Sequence, residues 1–300
     1  MADNNQLLLM KGIGKAFPGV QALDDVTMEV LRGEIHALVG ENGAGKSTLM
    51  RILSGATMAD RGSILWQGKE VQIDNPADAQ ALGISMIHQE LAIIPYLDAA
   101  KNIFLGREPR GLLPGLINWP NLYQQAEQQL SRLGLEFDPR TPVNALTIAQ
   151  QQMVEVVKAL SMNASLIVMD EPTSALTEKE VEALFEQMMR LRDQDVSIIF
   201  ISHRLEEVFR VADRLTVLRD GKLVGTRSIA GLDQDEVVNM MVGRELVREV
   251  QEQQKEVSEK IILETKDLHG RDKVRGVSIQ LRRGEILGVA GLVGAGRTAF

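Results

Sequence analysis

Residues Gly40, Glu41, Asn42, Gly43, Ala44, Gly45, Lys46, Ser47 and Thr48 carry the spacing G-x-x-x-x-G-K-[ST] of a phosphate-binding loop. Glycines at 40, 43 and 45 let the backbone curl until its N–H groups face a triphosphate, and a following helix N-terminus adds partial positive charge. Lys46 is placed to reach the β- and γ-phosphates, and the Ser47 hydroxyl to ligate Mg²⁺. The loop lies between the apolar run 34–39 and the helix-like run 47–53. A glycine-rich turn alone is commonly structural; this spacing, with Lys-Ser and a flanking strand, points to a nucleotide.

Two further apolar runs end in polar groups. Leu166-Ile-Val-Met-Asp170-Glu171 reads as a strand closed by two carboxylates. Asp170 is suited to hold Mg²⁺ through water. Glu171 is suited to polarise an attacking water as general base, a role worth about 10²–10⁴-fold in rate. An Asp-Glu pair after a strand also serves as a helix cap; Pro172 and the upstream loop favour the catalytic reading. Phe200-Ile-Ser-His203 ends another apolar run in an imidazole. Side chains at the C-terminal ends of parallel strands face the ligand crevice, so His203 is expected to meet the γ-phosphate and hold water and Glu171 in line. His36, His88 and His269 lack that context and read as structural. Gln89 follows the run Ile84–Ile87, and its amide could ligate Mg²⁺; by its residues alone it is a loop glutamine.

These groups converge only if their strands lie side by side with one polarity. Ile35–Val39, Ile84–Ile87, Leu166–Met169 and Ser197–Ile201 have the continuous apolar character of strands buried on both faces. Helical spacing over 121–134, 148–160 and 178–192 alternates with them, which predicts a doubly wound α/β core. Leu23–Val30 alternates as an antiparallel strand, and Gly62–Gly68 reads as a strand ending in a turn. The helical stretch from about 92 to 160 interrupts the core and is expected to form its own subdomain.

The loop returns near the C-terminus as Gly291-Leu-Val-Gly-Ala-Gly-Arg297-Thr298, at an offset of 251 residues that also relates Arg32-Gly-Glu-Ile35 to Arg283-Gly-Glu-Ile286. One nucleotide-binding unit is therefore expected over 1–246. The Gln-, Glu- and Lys-rich stretch 247–260 is expected to be a linker, with a short solvated helix as the alternative. A second unit is expected to begin near 261, where residues 261–300 would hold too few elements to bury a core. Apolar content of 44% and charged content of 25% fit a soluble globular chain. The absence of cysteine excludes disulfides and thiolate chemistry. A net charge of −8 and 4% aromatic residues disfavour nucleic-acid binding. With no spanning run and no basic leader, a cytosolic chain is expected.

In order, these residues resemble the ATP-binding cassette (ABC) family. The resemblance implies a P-loop NTPase (RecA-like) core with an antiparallel β subdomain and an α-helical subdomain. It makes Phe17 the aromatic that stacks on adenine, where the residue alone could be an ordinary core or surface phenylalanine. Gln89 becomes the Q-loop glutamine, Asp170 and Glu171 the Walker B pair, His203 the switch histidine and Ser174–Thr177 the D-loop. Phe17-Pro-Gly-Val20, Leu146-Thr-Ile-Ala-Gln150, Met241-Val-Gly-Arg-Glu245 and the second loop are together similar to the tandem ATPases of bacterial importers for ribose, xylose, galactose and related monosaccharides. Two departures stand out. The family signature Leu-Ser-Gly-Gly-Gln reads Leu146-Thr-Ile-Ala-Gln150, whose Ile148 and Ala149 would crowd a γ-phosphate. Thr177 replaces the usual D-loop aspartate.

The resemblance implies an ATPase with ATP and Mg²⁺ as ligands, peripheral to the cytoplasmic face of the bacterial inner membrane. Its partners would be permease subunits and, indirectly, a sugar-binding protein. Because cassettes pair head to tail, the altered signature would face the altered second loop, where Arg297 replaces a compact lysine with a broad fork. One competent and one degenerate site are expected in a full tandem protein. The rival is a soluble tandem cassette of translation or DNA repair, which would need basic insertions, ribosome-binding arms or zinc modules. A P-loop kinase or GTPase would need an acceptor lid or an Asn-Lys-x-Asp.

Overall fold

The computed structural model describes residues 5–88, 91–111, 115–174, 176–243, 258–270 and 274–290. Gln89, the stretch 244–257 and the second loop at 291–300 lie outside them. The chain divides into two compact units, Met1–Glu245 and Leu246–Phe300.

In the first unit the strands are β1 (Gln6–Phe17), β2 (Val20–Leu31), β3 (Ile35–Val39), β4 (Arg61–Trp66), β5 (Lys69–Val71), β6 (Ile84–Ile87), β7 (Leu166–Asp170), β8 (Ser197–Ile201), β9 (Arg214–Arg219) and β10 (Lys222–Ser228). The helices are α1 (Lys46–Leu53), α2 (Pro76–Ala81), α3 (Ala99–Ile103), α4 (Trp119–Arg132), α5 (Ile148–Leu160), α6 (Glu178–Arg192), α7 (Leu205–Val211) and α8 (Gln234–Val242).

The apolar runs pair as one sheet in the order β10-β9-β3-β8-β7-β6. All of its pairings are parallel except β9 with the edge strand β10. Their side chains alternate between two cores. Ile35, Ala37, Val39, Ile167, Met169, Ile198 and Phe200 enter one with α5 and α6. Leu38, Leu166, Val168, Ile199 and Ile201 enter the other with Leu49, Met50 and Leu53 of α1. Burial on both faces is why these strands carry no polar alternation. Phe185 of α6 meets Phe200 edge-on, with ring centroids 6.1 Å apart, the arrangement the ring quadrupoles favour.

The second core is closed by the antiparallel sheet β2-β1-β4-β5, through residues such as Leu8, Met10, Val26 and Met28. Between β6 and β7 the chain leaves the sheet for α3, α4 and α5. In α4 the residues Leu122, Ala126 and Leu130 are buried at four-residue intervals, one stripe of a helical surface. Asn118 caps that helix through the Asn121 N–H, so it begins at Trp119 rather than at 121. Thr147 and Gln150 form a reciprocal capping box at the start of α5, satisfying two helix-end donors.

In the second unit β11 (Ile261–Leu268) and β12 (Val277–Arg282) form an antiparallel pair. Ile261, Ile262 and Leu263 are exposed there, as expected of a two-stranded pair without a core of its own.

Candidate active site

Parallel pairing brings the C-terminal ends of β3, β8 and β7 to one edge. Leu38 is level with Ile201, and Ile201 with Asp170. The phosphate-loop residues leave β3 and turn into α1 at Gly45, whose φ of +100° suits only glycine. A Cβ there would lie 2.7 Å from both the Ala22 carbonyl oxygen and Leu23 Cδ2. Gly43 also has a positive φ, +85°, but a Cβ on it would meet nothing within 4 Å. The loop is therefore seated against β2 at Gly45 and open at Gly43.

Lys46 is 8% exposed, yet its ammonium reaches back over the loop. Nζ donates to the carbonyl oxygens of Gly40 at 2.7 Å and Glu41 at 3.0 Å. Burial pushes its pKa down, opposed by the charges of Asp170 and Glu171. Ser47, at the next position, is exposed. Phe17 ends β1 at 43% exposure, with Lys15 Nζ 5.6 Å from its ring centre. Its hairpin partner β2 supplies Ala22 and Leu23, the residues against Gly45.

Asp170 closes β7. Burial raises its pKa, and the neighbouring Glu171 raises it further, against the cationic influence of His88, Lys46 and Arg51. Glu171 has φ +47°, an uncommon conformation for a side-chain-bearing residue. Its N–H donates to the Ile201 carbonyl at 3.0 Å. Its Oε1 lies 3.3 Å from His203 Nδ1. Thus Lys46, Asp170, Glu171 and His203, expected from separate segments, share one edge of one sheet. Gln89 lies outside the described residues, two positions beyond the end of β6.

Sequence reasoning missed the polar groups beneath this surface. Gln152 of α5 is buried and donates to the Pro172 carbonyl. Glu155, one turn on, accepts the Ala92 N–H through Oε1 at 2.7 Å; burial raises its pKa, and its Oε2 has no hydrogen-bond partner among the described residues. Thr173 and Ser202, flanking the acidic pair and His203, both donate to buried Glu207. A period-3.6 reading assigns such residues to a helix without revealing what lies across from them.

The two departures from the family pattern act as helix caps. Thr147 caps α5 and leaves Ile148 43% exposed at its first position. Thr177 opens α6, its N–H and hydroxyl both donating to Glu180 Oε2, at 2.9 and 2.8 Å. Glu180 has its pKa held down chiefly by Thr177, with help from the Thr147 hydroxyl and Ala149 N–H. One carboxylate therefore lies against both segments.

A parallel sheet with a phosphate loop after β3, an acidic pair after β7, an antiparallel sheet on one side and a helical excursion is a P-loop NTPase fold. Residues 23–174 match the family model described as ABC transporter, and the chain belongs to that family. It is 51% identical over 292 residues to the protein named Ribose import ATP-binding protein RbsA 1 of Rubrobacter xylanophilus, covering 97% of this chain and 58% of the relative. It is 49% identical over 292 residues to a Burkholderia cenocepacia protein named as a ribose/galactose/methyl galactoside import ATP-binding protein, covering 97% and 57%. The chain thus spans little more than half the length of these relatives. Among solved structures, the ADP conformation of an ATP-binding cassette of an ABC transporter aligns with TM-score 0.68 at 26% identity, over 80% of this chain and 99% of that one. A nucleotide-free cassette aligns with TM-score 0.67 at 25% identity, over 80% and 96%.

Proposed function

We propose that this chain is the first ATP-binding and ATP-hydrolysing cassette of a bacterial monosaccharide importer. The observation that carries the hydrolytic reading is the convergence of Lys46, Asp170, Glu171 and His203 at one sheet edge. The import reading is supported by the names of the relatives and by the motifs they would share. Lys46 would exchange its loop carbonyls for phosphate oxygens, and Phe17 would stack on adenine. Glu171 would take a proton from the attacking water through Oε1, with His203 fixing that carboxylate beside the γ-phosphate.

The residues fit a divalent cation: half-buried Asp170 sits beside a second carboxylate, Glu171, and Ser47, in the first turn of α1, presents an exposed hydroxyl. Ser47, Asp170 and Gln89 would hold Mg²⁺, which when bound would neutralise phosphate charge. The acidic pair and loop lysine would keep their places without it.

Motion would leave the site through α5. Gln152 touches the segment after Glu171, and Glu155 holds Ala92 in the loop after Gln89. Beside Glu155 lies a groove of about 220 Å³ lined in part by Ser54, Met86, His88, Ala92 and Lys158. With exposed Ile94 and Tyr96 nearby in sequence, it would receive a membrane permease. The permease would in turn work with a sugar-binding protein, and the chain would sit on the cytoplasmic face of the inner membrane. No helix among the described residues is long and apolar enough to cross a membrane. In the longer tandem protein, a second cassette beginning near 261 would supply a signature to Lys46 and take the altered Thr147–Gln150 segment for its own degenerate site.

The test is co-purification after co-expression with the neighbouring genes. A permease subunit in stoichiometric amount is expected. Ribosomes or DNA in its place would overturn the import reading while leaving the ATP site standing.

A further inference from the structure

Glu207 stands in the first turn of α7 and is 6% exposed. A carboxylate that far from water is retained only where its oxygens are well satisfied. Its Oε2 accepts the Thr173 hydroxyl at 2.7 Å and the Ser202 hydroxyl at 2.9 Å. Its Oε1 accepts Arg204 Nη1 at 2.7 Å. Ser202 also accepts the Arg204 N–H at 3.0 Å, closing the corner. Both hydroxyl residues are buried, at 3% and 2% exposure.

The placement of the donors gives the arrangement its meaning. Ser202 immediately precedes His203, and Thr173 follows Glu171 by two residues. One carboxylate therefore fastens together the two strand exits that carry the imidazole and carboxylate found 3.3 Å apart. Glu171 needs such fastening, because its φ of +47° lies where a side-chain-bearing residue persists only if its surroundings over-determine it. Its own N–H is tied to Ile201, and Gln152 grips the carbonyl of Pro172. The Thr173 bond to Glu207 secures the segment next along.

We propose that Glu207 is a positioning residue for ATP hydrolysis. Through its bonds to Thr173 and Ser202 it holds Glu171 and His203 in the geometry their roles require. This inference rests on the hydrolytic reading of those two residues.

The test uses single-turnover hydrolysis of labelled ATP by excess chain, followed for hours, beside the affinity for a fluorescent ATP analogue and a melting curve. Misplacing a reacting group by about 1 Å can cost ~10²-fold in rate, so Glu207→Ala should hydrolyse about 10–100-fold more slowly. Its affinity should stay within about threefold of wild type, because Lys46 and the loop are untouched. Glu207→Gln keeps an oxygen that accepts both hydroxyls and should recover most of the rate. Should Glu207→Ala fail to fold, Thr173→Val and Ser202→Ala each remove one of the two hydroxyls that donate to Glu207, and each should slow hydrolysis without weakening affinity. Wild-type rates in these variants would overturn the proposal, as would parallel loss of rate and affinity or a glutamine that restores nothing. Glu171→Gln separates the two readings. If it alone abolishes hydrolysis, positioning by Glu207 is wrong and the hydrolytic reading survives. If it hydrolyses normally, the hydrolytic reading falls and the proposal with it.

Discussion

Adding one methyl group at Gly45 should harm this fold more than adding one at Gly43, although both glycines have positive φ. At Gly43, φ +85°, the new Cβ meets open space, so the alanine suffers only conformational strain of about 1–3 kcal/mol. At Gly45, φ +100°, the same strain is joined by contacts of 2.7 Å with the Ala22 carbonyl and with Leu23 Cδ2. The carbonyl belongs to β2 and cannot rotate away, and overpacking of this kind adds about 1–3 kcal/mol. Gly45→Ala should therefore lose about 2–6 kcal/mol, a large part of the ~5–15 kcal/mol of a typical domain. Urea unfolding without nucleotide measures both variants, with circular dichroism as signal and unchanged m-values as the control. If the loop moves to relieve the contact, its N–H groups leave their places, and ATP affinity drops as well. Equal destabilisation by the two alanines would refute the claim that the loop is seated against β2.

Lys46→Ala should weaken ATP binding by about 10–100-fold, since hydrogen bonds to charged groups contribute about 1.5–3 kcal/mol; a fluorescent-nucleotide titration decides it. Asp170→Asn should stabilise the nucleotide-free chain at neutral pH while weakening Mg²⁺-dependent ATP binding. The sign follows from its raised pKa. The folded state holds the proton more tightly than the unfolded state, so the penalty is absent below the ordinary aspartate pKa of about 3.9 and complete above the raised value. Melting temperatures of the two proteins should part at pH 7 and converge in acid. A difference of the opposite sign would show that Asp170 is stabilised as a carboxylate.

The most legible parts of the fold were those with simple periods and fixed spacings. Strands β3, β6, β7 and β8 were readable because burial of both faces leaves each with a single polar residue and no polar alternation, and the loop announced its own strand–turn–helix context. The limits of α5 followed from spacing because Thr147 caps it where the apolar pattern begins. β9 escaped because Thr216 interrupts Leu215, Val217 and Leu218. That threonine is buried all the same, bonded to His36 Nε2 at 2.7 Å and to the Thr226 hydroxyl at 2.8 Å. β10 is an edge strand with exposed Lys222 and Arg227 and shows no alternation. At the candidate site, Lys46, Asp170, Glu171 and His203 could be singled out in the sequence because each ends or follows an apolar strand. Glu207 was not. In the first turn of a helix an acidic residue reads as a complement to the helix dipole, and the two hydroxyls it fastens lie 5 and 34 residues away.

The central claim is that Glu171 activates water while Lys46 and its loop bind ATP, so binding and turnover should separate in one variant. The direct measurement is Glu171→Gln, assayed for Mg-ATP affinity at equilibrium and for phosphate release in a single turnover. Affinity should remain within about threefold of wild type while hydrolysis falls by at least ~10²-fold, the scale of a lost general base. Hydrolysis at the wild-type rate would contradict the account, and so would affinity lost in proportion to rate.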